Sequence, residues 1–321
     1  MARAPGPPNG AAMSSPIAVV ILAHNNPEHV RRLIRALAGF DIFLHCDTKT
    51  PDDVLAAMTE GLPHVVLTPR YRTARANWGM VEGELAGVRT ALERSQAEHI
   101  IVASGSCYPL LSAADLQEEL SGWRGLSRLE LSPIPYLGWS FRAGKPDGGL
   151  WRFNHRFLTI RGSMVLVHHG YPIPIGRRTI PAKFKLHASS QWKIYAREHA
   201  QTVLRALDAS PELVRFWRGT FAADESCVST ILSSPELVGS VAEEIRHDRT
   251  WYIDWHGGDL GGHPRWLEVS DFPRLKLERG RPPLKPDDDR ERGEDSRKLF
   301  ARKFGHDSKA ALDLIDEQLR I

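Results

Sequence analysis

Cysteine is scarce in this sequence: three in 321 residues, with Cys46, Cys107 and Cys227 far apart and no CxxC pair. An odd, scattered set excludes a closed disulfide framework and fits a reducing compartment, the cytoplasm. A strong net charge is also missing. Lys and Arg number 42 against 39 Asp and Glu, a formal +3. No overall field therefore draws the chain to nucleic acid or a membrane surface, and an anionic ligand must be held by a local cluster. Long apolar runs are absent as well. The first of any length, Ile17 to Ala23, falls far short of the roughly 20 residues that cross a bilayer, so no membrane anchor is expected. Residues 1–16 are rich in Pro, Gly and Ala without the apolar core of a signal peptide, and read as a disordered leader. No internal repeat is evident.

What is present is 42% apolar residues, enough to build one enzyme-sized core. The first third alternates strand and helix patterns. Ile17 to Ala23 is a continuous β-prone run, as for a strand buried on both faces. Asn26 and Pro27 open a helix whose apolar stripe is Val30, Leu33, Ile34 and Leu37. A strand at 41–46, a helix at 51–60, a strand at 64–67, a helix after Asn77 and a strand at 99–104 follow. This order predicts an α/β fold with a Rossmann-like, mostly parallel sheet flanked by helices, whose ligands bind beyond the carboxyl ends of the strands. Those ends are His24-Asn25, Cys46-Asp47 and Ser104 to Pro109. Residues 122–186 are irregular, aromatic and basic. Residues 192–208 and 224–233 read as helices, 282–298 as a mobile charged loop, and the C-terminus as a helix capped by Ser308. The chain reads as one domain, with a nucleotide-side half, 17–120, and an acceptor and catalytic half, 121–321.

Several motifs carry chemistry. Asp224-Glu225 sits where a helix starts, as an ordinary N-cap or as the place of a general base. The stretch from Trp251 to His263 puts aromatics beside a glycine-rich turn, either an edge strand or a stacking platform for a sugar. Leu299 to Phe304 alternates apolar and basic residues so as to present Arg302 and Lys303 to one side, where Lys303 could hold a diphosphate. No carboxylate pair follows the strand ending at Ser104, the run Asp287 to Asp289 lies in the charged loop, and His168-His169, His256 and His263 lack ligand spacing. No metal is expected.

Taken in order, Ile21-Leu-Ala-His-Asn25, Phe43 to Asp47, Ala76 to Val81, Ala103 to Leu110, Ser190-Gln-Trp192, Ala223 to Ser226, Tyr252 to Trp255 and Leu299 to Phe304 resemble the core-2/I-branching enzyme family, glycosyltransferase family 14. The resemblance implies a GT-A fold and inverting, metal-independent transfer of a sugar, N-acetylglucosamine or xylose, from a UDP-sugar to a glycan or glycoside hydroxyl, with no cofactor. By position it implies Glu225 as catalytic base and Lys303 with Arg265 at the diphosphate. It implies Asp47, Arg75 and Trp78 on the nucleotide side, and Glu130 and Trp255 on the acceptor sugar. Cys107 stands where the family often has Asp. An idle nucleotide-sugar or glycan-binding module, or a metal-dependent phosphoesterase or nucleotidyltransferase using the histidines, are the alternatives.

Overall fold

The computed structural model describes residues 15–139, 147–160, 163–167, 170–256, 263–288 and 295–321. Most of the leader, His168-His169, the glycine-rich turn 257–262 and Asp289 lie outside the described residues.

The apolar run of β1 (Ile17–Ala23) is buried almost throughout. Its hydrogen-bonded neighbours, β2 (Asp41–Cys46) and β4 (His99–Ser104), are buried along their whole length. A short β3 (Val66–Leu67) joins β2. All of these pairings are parallel, and the register sets Ala23 beside Cys46 and Leu22 beside Ser104, so the three carboxyl ends share one edge. Helix α1 (Pro27–Ala36) begins as the sequence predicts: the Asn26 side chain accepts from the His29 N–H (3.3 Å), and Val30, Leu33 and Ile34 are buried. After α2 (Asp52–Thr59), α3 (Trp78–Arg94) lies very close to the sheet. A Cβ at Gly83 would come 2.8 Å from the His45 ring, and one at Gly87 2.3 Å from Val20. The two glycines, one helical turn apart, permit that approach.

The chain then leaves the sheet through β5 (Cys107–Pro109) and α4 (Ala113–Ser121), and returns to it with β6 (Arg128–Leu129). After β7 (Ser132–Pro133) and α5 (Trp151–Asn154), six short strands form two-stranded ribbons: β8 (His155–Phe157), β9 (Thr159–Ile160), β10 (Ser163–Met164), β11 (Leu166–Val167), β12 (Tyr171–Pro172) and β13 (Pro174–Arg177). Strands β14 (His187–Ala188) and β15 (Lys193–Ala196) precede α6 (Arg197–Ala209), α7 (Pro211–Arg218) and α8 (Cys227–Leu232). Last come β16 (Arg246–His247), β17 (Trp251–Ile253) and β18 (Phe300–Arg302). The main sheet has seven strands in the order β16-β6-β15-β4-β1-β2-β3, and β17-β18-β5 form a smaller one. Both portions of the chain thus build one sheet, the expected mixed α/β architecture.

One expected helix is corrected. Residues 193–196 are not helical but form β15, antiparallel to β4 and β6 and fully buried, and the helix starts only at Arg197. Ile194 and Tyr195 fall in the helical period of the residues that follow, so the pattern runs through the boundary. The open side of β4 decides the matter, a tertiary effect that overrides local preference. At the predicted mobile loop, the described flanks are fastened: Ser296 Oγ donates to Asp248 (3.0 Å), and the Lys298 N–H to the Glu278 carbonyl (3.1 Å).

Candidate active site

The sharpest backbone feature lies between α7 and α8. Ala222 adopts φ 52°, Ala223–Glu225 make a tight turn, and α8 begins only at Cys227. The Ala222 N–H donates to the carbonyl of Ala76 (3.1 Å), itself a left-handed residue at φ 58°. Non-glycine residues hold that conformation at a cost of about 1 kcal/mol or more each, and such strain collects at functional sites. Here it joins the loop beyond β3 to the Glu225 turn. The expected N-cap role of Asp224 is corrected: the residue is half-buried, its Oδ1 is buried and unpartnered, and it caps no helix. Burial, and then the neighbouring charge of Glu225, push its pKa up to about 7.

Glu225 is anchored through its backbone and open at its carboxylate. Its carbonyl accepts the Ser189 N–H (2.7 Å), while Oε2 accepts Arg152 Nη1 (2.9 Å), the side chain remaining 39% exposed. Asp147 positions that arginine by capping the turn into α5, accepting from the backbone N–H groups of Gly149 and Trp151. The Arg152 guanidinium lies 3.6 Å over the Trp139 ring. On another side, Arg302 stacks 4.4 Å over Trp192, and burial lowers its pKa against the opposing pull of Cys107 and Glu225. Two arginines, each over a tryptophan ring, thus lie near one carboxylate, and contact of this kind holds a guanidinium in place.

Lys303 follows, but it points elsewhere: its Nζ lies 4.2 Å over Trp266, not beside Arg302 as the alternation implied. β18 ends at Arg302, so Lys303 lies beyond the strand that sets the direction of the arginine. Arg265 is close by, because the Leu267 N–H donates to the Lys303 carbonyl (2.9 Å). Its guanidinium is already engaged, by Asp254 at 2.8 Å and by Asp271. Those two bonds outweigh desolvation and raise its pKa further.

The nucleotide-side residues divide. Asp47, at the end of β2, accepts from the Lys49 N–H (2.7 Å), the Thr73 N–H (3.1 Å) and the Thr73 hydroxyl. Burial would raise its pKa, but these bonds hold the carboxyl below its ordinary value. Arg75 is exposed next to the β11–β12 turn at Gly170. Trp78, by contrast, is 5% exposed within the main core, so its ring is a wall and not an open face. Glu130 pairs with Arg249 (3.4 Å) and lines a narrow depression with Ser190, Trp192, Trp251 and Ile253. Trp255, two residues beyond that wall, is 44% exposed.

Seven of the eight expected residues therefore present polar or open faces around the strand ends, the Glu225 turn and the small sheet. Sequence reasoning did not supply the partners: Arg152 lies 73 residues from Glu225, and Asp254 and Asp271 hold Arg265. Cys107 is fully buried, its sulfur within 3.3 Å of the Ser104 N–H and 3.2 Å of the Ser104 hydroxyl, so it stabilises its own turn. Among the described residues no group of three or more His, Cys, Asp and Glu converges to hold a metal ion. No described helix is long and apolar enough to cross a membrane.

A family model described as Core-2/I-Branching enzyme matches residues 17–279, most of the chain. No curated protein matches it. Among solved structures, mouse xyloside xylosyltransferase 1 in its apo form is 12% identical, over 74% of this chain and 86% of that one, with a TM-score of 0.36. The 4-diphosphocytidyl-2C-methyl-D-erythritol synthase of Anaerococcus prevotii is 8% identical over 61% and 76%, with a TM-score of 0.31. A putative glucose-1-phosphate thymidylyltransferase of Bacillus anthracis is 10% identical over 62% and 77%, at 0.29. At such TM-scores these three likenesses carry no weight; the family match does.

Proposed function

We propose a single-displacement mechanism for this chain, which belongs to the core-2/I-branching enzyme family and is a glycosyltransferase that takes a sugar from a nucleotide-sugar donor to a glycan acceptor. The donor is a UDP-sugar, N-acetylglucosamine or xylose being the sugars the family favours, and the product is a β-linkage. Glu225 takes the proton of an acceptor hydroxyl, and that oxygen attacks the anomeric carbon on the face opposite UDP. As the bond to UDP breaks, its electron pair goes to the β-phosphate oxygen. The observation that carries this is the state of the Glu225 carboxylate: one oxygen fixed at 2.9 Å by Arg152, the other with no hydrogen bond among the described residues, on a strained turn at the meeting of the strand ends and the acceptor-side depression. A carboxylate oriented at one oxygen and open at the other is equipped for proton abstraction.

Lys303 meets the departing diphosphate, and Arg302 adds positive charge between it and Glu225. Pre-placed cations of this kind take the place of a divalent ion, and removal of one such group typically costs about 3 kcal/mol of barrier. Arg265, committed to Asp254 and Asp271, braces the segment beneath Lys303. Asp47 and Arg75 serve the nucleotide, while Glu130 and Trp255 serve the acceptor sugar, Trp255 by offering an exposed ring face.

The test is a panel of UDP-sugars assayed for UDP release and acceptor glycosylation in saturating EDTA. Turnover of one donor, unchanged by the chelator, is expected. Activity lost in EDTA and restored by manganese would replace the cationic account with a metal-dependent one.

A further inference from the structure

Trp266 is 48% exposed, although the chain on both sides of it is fixed. Before it, the Arg265 N–H donates to the Asp254 carbonyl (2.9 Å), and the Arg265 guanidinium is held by Asp254 and Asp271. After it, Leu267 is fully buried; its N–H donates to the Lys303 carbonyl (2.9 Å) and its carbonyl accepts the Ser308 hydroxyl (2.7 Å). The ring itself belongs to neither apolar cluster. A large ring on a pinned backbone, outside the core, is not accounted for by burial.

What the ring meets is the segment that carries Lys303. The Lys303 ammonium lies 4.2 Å over it. A Cβ on Gly305 would come 2.8 Å from two of its carbons, so the bare glycine is what lets the ring lie there. Gly305 has φ −139°, which any residue can adopt, and the site therefore uses its missing side chain and not a special backbone. The same segment reaches the carboxyl edge of the main sheet. The Phe304 N–H donates to the Ser106 carbonyl (2.9 Å), two residues beyond the end of β4, and Arg302 stands opposite Cys107. An aromatic face attracts an ammonium through its quadrupole and leaves the cation charged, whereas the two carboxylates on Arg265 offset its charge. A phosphate oxygen, carrying a formal charge, then competes well with the ring for the ammonium.

We propose that Trp266 is a positioning residue for the donor diphosphate: its ring holds the Lys303 ammonium in place before the donor arrives, and Gly305 provides the space for that ring. This rests on the reading of Lys303 as the diphosphate cation, and its test needs no turnover. Binding of UDP and of uridine to the full chain is measured by calorimetry for wild type and variants. Trp266→Leu should weaken UDP about two- to fivefold, the worth of a half-exposed cation–π contact, and leave uridine unchanged. Trp266→Phe, which keeps an aromatic face, should retain most of the affinity, while Gly305→Ala, which displaces the ring, should resemble Trp266→Leu. In a Lys303→Met background, Trp266→Leu should cost nothing further, because the ring acts through the lysine. A collapsed fold would weaken UDP and uridine alike and would act in either background. Wild-type UDP affinity in Trp266→Leu, equal losses for UDP and uridine, or an undiminished loss on top of Lys303→Met overturns the proposal and leaves the Lys303 reading standing. Unchanged UDP affinity in Lys303→Met itself removes that reading, and the proposal with it.

Discussion

Two ion pairs near the Glu225 turn hold the same chemistry in opposite surroundings. Lys193 and Glu84 are each 1% exposed, with Nζ 2.9 and 3.1 Å from the two carboxylate oxygens and the Tyr195 hydroxyl donating to one of them at 2.7 Å. Arg152 and Glu225 are 10% and 39% exposed, and a single oxygen is engaged. The first pair is saturated and sealed between α3 and β15; the second leaves an oxygen for something else. Asp224 feels both, since Glu225 and Glu84 raise its pKa while Lys193 opposes them. A buried pair with both carboxylate oxygens engaged belongs to the fold, whereas a half-open pair on a strained turn is suited to a substrate.

The contrast can be broken by substitution. Lys193→Met leaves the Glu84 charge sealed without its cation, and should cost about 3–5 kcal/mol in denaturant unfolding. Arg152→Gln should cost about 1 kcal/mol or less, because water can solvate the half-exposed Glu225, yet it should depress glycosyl transfer more than stability. Equal losses of stability in the two variants would erase the distinction.

A smaller effect sharpens it. The folded-state pKa of Asp224, about 7, lies above its ordinary 3.8, so the fold favours the protonated acid. Its contribution is whole below about 3.8 and is lost as pH rises through about 7. Asp224→Asn, a fixed mimic of the neutral acid, should therefore gain in melting temperature on wild type between about pH 5 and about pH 8. A difference that stays constant across that range would mean that Asp224 is already ionised in the fold.

The same division governs what could be read from the sequence. Where the backbone does the work, periodicity reveals it: the run Ile17 to Ala23, the Asn26-Pro27 helix start and the strand at 99–104 stand where the pattern predicts. β15 was hidden because Ile194 and Tyr195 keep step with the helix behind them, and only the free flank of β4 makes them a strand. The part of the chain after residue 120 is fixed by side chains meeting over long separations, and no local pattern records such meetings. Nothing near Glu225 in the sequence points to Arg152, nothing at Arg265 announces that Asp254 and Asp271 neutralise it, and Trp78 looks alike in sequence whether it faces a nucleotide or the core. Motif order nominates Glu225 and Lys303; the pairings around them required coordinates.

The central claim is that Glu225 is the base, and the direct measurement compares wild type with Glu225→Gln for glycosyl transfer and for UDP binding. Transfer should fall by about 10²- to 10⁴-fold, the usual worth of general-base catalysis, while UDP affinity stays unchanged. Wild-type turnover in Glu225→Gln would contradict the account outright, and would leave the open carboxylate on its strained turn without a catalytic role.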